Sequence, residues 1–380
     1  MNKLIPFHVP FKSKKEIYYL NSSIQKNSLA GRGFFTKKCE DIFTKDFKKK
    51  CLMTTSCTHA LEIIAFVLKL TNKDEVILPS YTFVSTASAF AIRGAKIVYA
   101  DTISQYPCID PSEIEKKITK KTKAVCIVHY AGISCDIKKI SNICKKYKIK
   151  LIEDCAHSFD AYGFGQRLGT FGDFSTFSFH ETKNITSGEG GALIVKSKKD
   201  YNLAKIILEK GTDRSLFEAG KVKKYTWIEL GSSYALSDLN CSYLYAQLKK
   251  RNYILKKRRF IFNFYQSKLK NKEFARYFYT PDIPLYAKVN GHIYFIIFKN
   301  TQQMHSLIKY AEKKGVTFNE HYKCLHKSPF SKKNFKTGKL FNSEKFEKKL
   351  LRLPIYPDLN LKKLNKIVNI IKTFCELKKI

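Results

Sequence analysis

Lys183 has no other lysine within a dozen residues on either side, in a chain that holds 61 of them. It lies in Phe177-Ser178-Phe179-His180-Glu181-Thr182-Lys183-Asn184-Ile185-Thr186-Ser187-Gly188-Glu189-Gly190-Gly191, where a strand-like run enters a polar turn and leaves through glycines. By number alone a lysine is solvated surface. Aromatic approaches and a permissive exit shield this one, and a shielded amine with a lowered pKa is a nucleophile toward an aldehyde. Earlier in the chain, Lys150-Leu151-Ile152-Glu153-Asp154-Cys155-Ala156-His157 ends an apolar run on two carboxylates. Asp154 emerges at the carboxyl end, where it can hold a protonated ring nitrogen or simply cap the loop. Thr54-Thr55-Ser56-Cys57-Thr58-His59-Ala60 opens a helix-patterned segment. Hydroxyls and unpaired N–H groups there make an anion site suited to phosphate, and a plain N-cap would read the same way. A fourth polar segment, Glu209 to Ser215 followed by Tyr225 to Tyr234 with the chain's single Trp, carries no chemistry by itself.

These groups need a frame. Strand candidates run over Glu75–Tyr81, Lys96–Asp101, Ala124–Tyr130, Lys150–Cys155, Phe174–His180 and Gly191–Ser197, spaced to admit crossover helices. Between Ser56 and Leu70, Ala60, Ile64, Val67 and Leu68 mark one helical face. Such alternation predicts an α/β domain with a mainly parallel sheet, whose ligands collect at the carboxyl ends of the strands. Ser237–Leu269 reads as one long helix or two consecutive ones capped by Ser237. The proline-marked Thr280–Leu285, a strand at His292–Lys299, and helices near Gln302–Lys314, Ser343–Leu351 and Leu361–Leu377 make a smaller α+β domain. The expected division is residues 1–240, with an arm over 1–30 packing on the small domain, and residues 241–380.

Composition narrows the classes. With 380 residues, 44% hydrophobic and 14% aromatic, the chain is not disordered, and Gly 17 with Pro 10 excludes fibrous types. No run reaches the roughly 18 apolar residues that a spanning helix needs. The N-terminal stretch has no apolar export core, so a soluble cytoplasmic protein is expected. Lys+Arg 70 against Asp+Glu 32 gives +38, yet only nine of the cations are Arg and the lysines are scattered. A phosphate-backbone binder clusters its cations, so no nucleic-acid partner is expected, although the charge helps attract a small anion. Eleven cysteines form no C-x-x-C pair and the nine histidines have no ligand spacing, so neither disulfides nor a metal are expected.

Taken in order, a phosphate-type helix start, a strand-end Asp and a Lys 29 positions later match the cofactor groups of fold-type I pyridoxal 5′-phosphate (PLP) enzymes. With PSYTFVSTA, HYAG, EDCAHSF, SFHETKN, GEGG and GSSY, the sequence resembles the DegT-type sugar aminotransferases over effectively its full length. Within them it is most similar to the dTDP-4-amino-4,6-dideoxygalactose transaminases of surface-polysaccharide synthesis, which serve lipopolysaccharide and enterobacterial common antigen.

The resemblance implies a fold-type I transferase that takes L-glutamate and a nucleotide sugar and works as a homodimer with shared active sites. Lys183 then binds PLP covalently and shuttles the proton between carbon atoms, while Asp154 pairs with the ring nitrogen. Phe83 stacks on the ring, His157 sits near its phenolic oxygen, and Cys57, Thr58 and Ser178 take the phosphate. Ser233 reaches across from the neighbouring subunit. His321, Tyr322 and His326 face the substrate. His157 stands where the nearest subgroup has Gln, Asp213 where Asn is usual, and Ser187 where Gly is usual. Lys323-Cys324-Leu325 replaces Ile-Pro-Leu, which bears on the sugar. The rivals are a transaminase for another sugar position or C4 epimer, a basic nucleic-acid binder, and a PLP-fold regulator without turnover. PLP sugar dehydratases lack the lysine.

Overall fold

A computed structural model describes residues 4–377. Residues 1–3 of the expected arm and 378–380 of the small domain lie outside the described residues. Two short helices, α1 (Glu16–Gln25) and α2 (Phe34–Phe47), precede the first strand, β1 (Lys50–Thr54). Then α3 (Cys57–Val67), β2 (Glu75–Pro79), α4 (Ser85–Ala91), β3 (Lys96–Ala100), α5 (Pro111–Lys117), β4 (Thr122–Val128), α6 (Ile137–Lys146) and β5 (Lys150–Asp154) alternate. A small hairpin, β6 (Tyr162–Gly163) and β7 (Gln166–Arg167), leads to β8 (Phe174–Ser178) and β9 (Gly191–Val195).

The seven main strands form one sheet in the order β1-β9-β8-β5-β4-β2-β3. β9 is antiparallel to both neighbours, whereas β8, β5, β4, β2 and β3 run parallel. The cause is local. The β8–β9 connection has no crossover helix, so the chain can only return antiparallel. That connection carries Lys183. Each of the six expected strand runs contains a strand, but β1 is not among those expected. Its single exposed residue is Lys50; the other four, Cys51 to Thr54, are buried beside β9.

After α7 (Lys198–Leu208) and the short α8 (Arg214–Glu218), the long helical run divides at Lys250 into α9 (Asp238–Lys249) and α10 (Arg251–Leu269). Ser237 caps α9, its hydroxyl accepting the Asn240 N–H at 3.3 Å. Strands β10 (Phe278–Tyr279), β11 (Ala287–Lys288), β12 (Tyr294–Phe298), β13 (Asn319–Glu320) and β14 (Leu350–Leu353) follow, with α11 (Thr301–Lys313), α12 (Pro329–Asn334), α13 (Phe341–Lys349) and α14 (Leu361–Leu377). β10-β12-β14-β13 form a second, antiparallel sheet. The helix expected through Leu351 therefore ends at Lys349, and Leu350 and Leu351 turn into β14, where both are fully buried. Cys241, Leu244 and Leu248 of α9 belong to the core under the large sheet, whereas Ile261 onward joins the core of the second sheet, as does Ile5.

The two layers are stitched together. β11 pairs with β6 of the first layer. Asn290, fully buried, donates from Nδ2 to the carbonyls of His157 (3.0 Å) and Phe159 (2.9 Å), and its Oδ1 accepts the His292 N–H. Gly132 has a φ of +79°, and a Cβ there would sit 2.4 Å from Asn290 Oδ1, so only glycine lets this seam close. Among the described residues no helix is long and apolar enough to cross a membrane.

Candidate active site

A cavity of about 580 Å³ lies between the layers, at the carboxyl ends of β4, β5 and β8. This is where a parallel sheet presents its loops to a ligand. Asp154 is the last residue of β5 and is 4% exposed. Its Oδ2 accepts from the Thr86 hydroxyl at 2.8 Å and its Oδ1 from the Ala156 N–H at 3.0 Å. Burial pushes its pKa above the ordinary value, opposed by those two hydrogen bonds and by the charge of Lys183. A carboxylate held this way, with one face toward the cavity, suits a cationic partner.

Lys183 enters the same cavity from the β8–β9 connection. Burial lowers its pKa below the usual lysine value, and Arg352 adds to that; Cys57 and Asp154 oppose it. The connection is fixed by its own hydrogen bonds: Lys183 N–H to the His180 carbonyl, Ser187 N–H to that of Phe179, and Phe179 N–H to that of Gly190. Gly191 has a further reason to be glycine. A Cβ there would lie 2.4 Å from the Ser56 carbonyl carbon and 2.5 Å from Cys57 N. The exit of the lysine turn thus rests directly on the start of α3.

At that start, Ser56 caps the helix, accepting the His59 N–H at 3.0 Å. Cys57 and Thr58 occupy the first helical positions, whose N–H groups have no intrahelical acceptor. Both line the cavity, as does Ser178 at the end of β8. Thr58 donates to the Ser85 hydroxyl at 2.7 Å, and the Cys57 thiol donates to Thr176 Oγ1 at 3.3 Å. Burial and the neighbouring Asp154 raise the thiol's pKa, so it stays neutral. Phe83, 56% exposed, stands over the opening and lines it.

His157 is buried, accepts the Ala131 N–H at Nδ1 (3.4 Å) and therefore donates from Nε2 toward the Tyr322 hydroxyl at 3.3 Å. Burial, then Lys183, His321 and Arg352, hold its pKa well below the usual value. His321 and Tyr322 stack at 3.8 Å and line the cavity. His326 does not line it. The turn after β13 directs that ring inward, between the Ser80 hydroxyl (2.6 Å) and Glu344 (3.4 Å), which corrects its expected substrate-facing position. Ser233 is exposed and lies outside this chain's cavity, beside Glu209. Asp213 is buried and accepts the Thr226 N–H, closing the polar loop.

Among the cavity residues that escaped the sequence reading are Thr86, Arg258, His292 and Arg352. Thr86 lies within the quoted PSYTFVSTA, but nothing in its spacing says that it meets Asp154. His129, Glu153 and Cys155 also cluster, behind the cavity. Glu153 there accepts from His129 Nε2 and from the N–H groups of Gly169, Phe171 and Gly172, while His129 Nδ1 accepts from Cys135. These donors are spent on the fold.

A strand-end carboxylate, a desolvated amine facing it, and a helix start across the same cavity define a fold-type I PLP-dependent aminotransferase. The chain belongs to the DegT/DnrJ/EryC1/StrS aminotransferase family, which it matches over residues 10–372. It is 34% identical over 326 residues to the UDP-4-amino-4,6-dideoxy-N-acetyl-beta-L-altrosamine transaminase of Campylobacter jejuni, covering 83% of this chain and 82% of that protein. It is 30% identical to the GDP-perosamine synthase of Vibrio cholerae, covering 98% and 99%. In structure it is similar to the putative sugar aminotransferase Spr1654 from Streptococcus pneumoniae in its PMP form, with TM-score 0.90, 24% identity and coverage of 98% and 99%. Helicobacter pylori PseC gives TM-score 0.90 at 24% identity, covering 98% and 100%. The enzyme is a PLP-dependent sugar aminotransferase.

Proposed function

We propose that the enzyme moves an amino group from L-glutamate to the C4 keto carbon of a nucleotide-linked 4-keto-6-deoxy sugar, releasing 2-oxoglutarate. The observation that carries this reading is the convergence of Lys183 and Asp154, from two different strand ends, on one cavity. The residues present fit PLP. The N–H groups of Cys57 and Thr58 with the Ser178 hydroxyl suit its phosphate, Asp154 its ring nitrogen, Lys183 its aldehyde, and the exposed face of Phe83 its ring. His157 would lie beside its phenolic oxygen.

Bound PLP supplies an electron sink that allows a C–H bond next to nitrogen to release its proton. The protein does the rest. Lys183, its pKa lowered by burial, is the base that takes this proton from one carbon and returns it at another. Asp154, fixed by Thr86 and Ala156, keeps the ring nitrogen cationic. The stacked His321 and Tyr322 wall the side where the sugar enters.

The sequence resemblance favours dTDP-4-dehydro-6-deoxy-D-glucose as acceptor and dTDP-4-amino-4,6-dideoxy-D-galactose as product, for surface-polysaccharide synthesis. The names of the two relatives specify UDP and GDP, so what unites the three is a nucleotide-linked sugar rather than one base. We further propose a homodimer in which Ser233 reaches the partner's cavity. Leu216, Phe217, Tyr225, Trp227, Ile228 and Leu230 are all exposed just before it, an apolar segment that a second copy would cover. The test is incubation with PLP, L-glutamate and 4-keto-6-deoxy sugars linked to dTDP, UDP and GDP, with products identified by mass and NMR. One of the three should gain a C4 amine; no amination of any of them would overturn the reading.

A further inference from the structure

Arg258 and Arg259 are neighbours on α10 yet serve different hollows. Arg258 lines the active cavity, whereas Arg259 lines a second one of about 500 Å³ that shares no lining residue with the first. The second hollow lies between α10, the β6–β7 hairpin and β11. On α10, the spacing of Asn252, Lys256, Arg259 and Asn263 sets these side chains on one helical face. Tyr162 and Arg167 come from the hairpin, and Lys288 from β11, which pairs with β6.

The charge of this hollow is one-sided. Four cations, Arg167, Lys256, Arg259 and Lys288, share it with a single carboxylate, Asp160. Asp160 is buried and pairs with Arg167 Nη1, so its charge is spent. The other three cations have no ion-pair partner among the described residues. Arg259 donates from Nε to the Val289 carbonyl at 3.2 Å and from Nη2 to that of Asp160 at 2.8 Å, and neither bond neutralises it. The Arg167 guanidinium and the Lys288 ammonium lie 5.3 and 5.8 Å from the centre of the Tyr162 ring, so that one aromatic wall keeps two cations in place. Burial lowers the pKa of Arg167, and Arg251 and Arg259 lower it further against the pull of Asp46. Scattered surface lysines need no partner. Partly buried guanidinium groups that converge with lysines from three elements on one concave place do.

We propose that this hollow is a second anion site, separate from the active cavity, which takes the diphosphate group of a small molecule among Lys256, Arg259 and Lys288. A phosphate monoester carries about two negative charges, so three unpaired cations fit a diphosphate better. Free diphosphate and a nucleoside diphosphate share that chemistry. For the nucleoside, Phe260 offers an exposed flat ring at the rim, and the Asn252 and Asn263 amides offer donors and acceptors beside it. The site stands whether or not the aminotransferase reading does. Because Arg259 bonds Asp160 across the layers, an anion bound there rests on the joint between them.

The experiment uses the full chain loaded with PLP, at about 0.15 M salt so that diffuse attraction is screened. Calorimetry with inorganic pyrophosphate and with UDP reads affinity, and hydrogen exchange reads location. Pyrophosphate should bind and protect residues 159–167 and 284–290. Lys256→Ala combined with Lys288→Ala should weaken this binding by about 10- to 100-fold. Lys314→Ala combined with Lys362→Ala removes the same charge from a groove beside α14 and should change it less than about 3-fold. All four lysines are exposed, so neither pair threatens the fold. If UDP binds this site more tightly than pyrophosphate does, the ligand is a nucleotide; equal affinity assigns free diphosphate. Equal weakening in both lysine pairs would reduce the effect to general charge and overturn the proposal. So would protection confined to the lysine turn around Lys183, or no binding at that salt.

Discussion

Glu153 and Asp154, adjacent in β5, point to opposite faces of the sheet and into opposite circumstances. Glu153 is fully buried and accepts four hydrogen bonds, from His129 Nε2 and three backbone N–H groups. Those bonds hold its pKa below the carboxylate norm despite burial. Asp154 accepts from the Thr86 hydroxyl and the Ala156 N–H, with the Cys57 thiol farther off at 4.0 Å, and sits on the cavity, with its pKa raised. The alternation of a strand is enough to make one carboxylate structural and the other reactive.

The pair therefore separates by mutation. Glu153→Gln should cost about 2–4 kcal/mol of stability, read from denaturant unfolding, because a neutral amide cannot satisfy the same donors. Asp154→Asn should leave the unfolding midpoint nearly unchanged and reduce turnover by several orders of magnitude. A loss of 10-fold or less, about 1.4 kcal/mol of barrier, would show that Asp154 does not govern the ring nitrogen.

Lys183→Ala should abolish transamination while the protein folds normally. In the wild type, borohydride should fix PLP to a single peptide, the one that spans Phe179 to Gly190. A label recovered on any other lysine would assign the nucleophile elsewhere.

Acid should loosen the fold around the cavity. Burial depresses the pKa values of His157 and His292 well below normal and that of His321 to about 2. The folded chain keeps these rings neutral, whereas the unfolded chain protonates them near 6.5. Below that pH the unfolded state binds more protons, so stability falls by up to about 1.4 kcal/mol per pH unit for each ring; above it this contribution is flat. Melting temperatures at pH 7.5, 6 and 5 should drop less steeply in His292→Gln than in the wild type. Parallel slopes would exclude these rings as the cause.

Two inactive chains should restore each other if Ser233 crosses to the partner. Lys183→Ala mixed with Ser233→Trp leaves one intact site in each heterodimer that places both lesions together. Subunit exchange is verified first with differently tagged chains. Heterodimers without activity, or an active monomer in sedimentation, would refute the shared site.

The charge of +38 should count for little with polynucleotides. Binding to duplex DNA should be weak and vanish near physiological salt. A selective complex that survives at that salt would restore the nucleic-acid reading.

Much of the frame was legible because β-branched and aromatic runs separated by helical patterns announce a parallel sheet. β1 was not, because Lys50-Cys51-Leu52-Met53-Thr54 is short, follows further lysines and becomes a strand only by pairing with β9. In the cavity, Lys183 and Asp154 stood out through their local surroundings. Arg258, His292 and Arg352 did not, since their place depends on the second layer closing over the first. His326 was misplaced for the same reason: the resemblance sets it beside His321 and Tyr322, but only the packed structure supplies Ser80 and Glu344 to draw the ring inward.

The Asn290 seam also governs traffic. Its side chain ties the small layer to the His157 and Phe159 carbonyls, and Arg259 ties Val289 to Asp160 one strand away. Swinging the layers apart like a clamshell would break both Asn290 bonds and the Arg259–Asp160 bond together and strip the backbone beneath His157 of its support. The doorway is therefore braced at its hinge side, and entry falls to the open side of the cavity, where Phe83 is exposed. Such an enzyme works less like closing jaws than like a fixed bench.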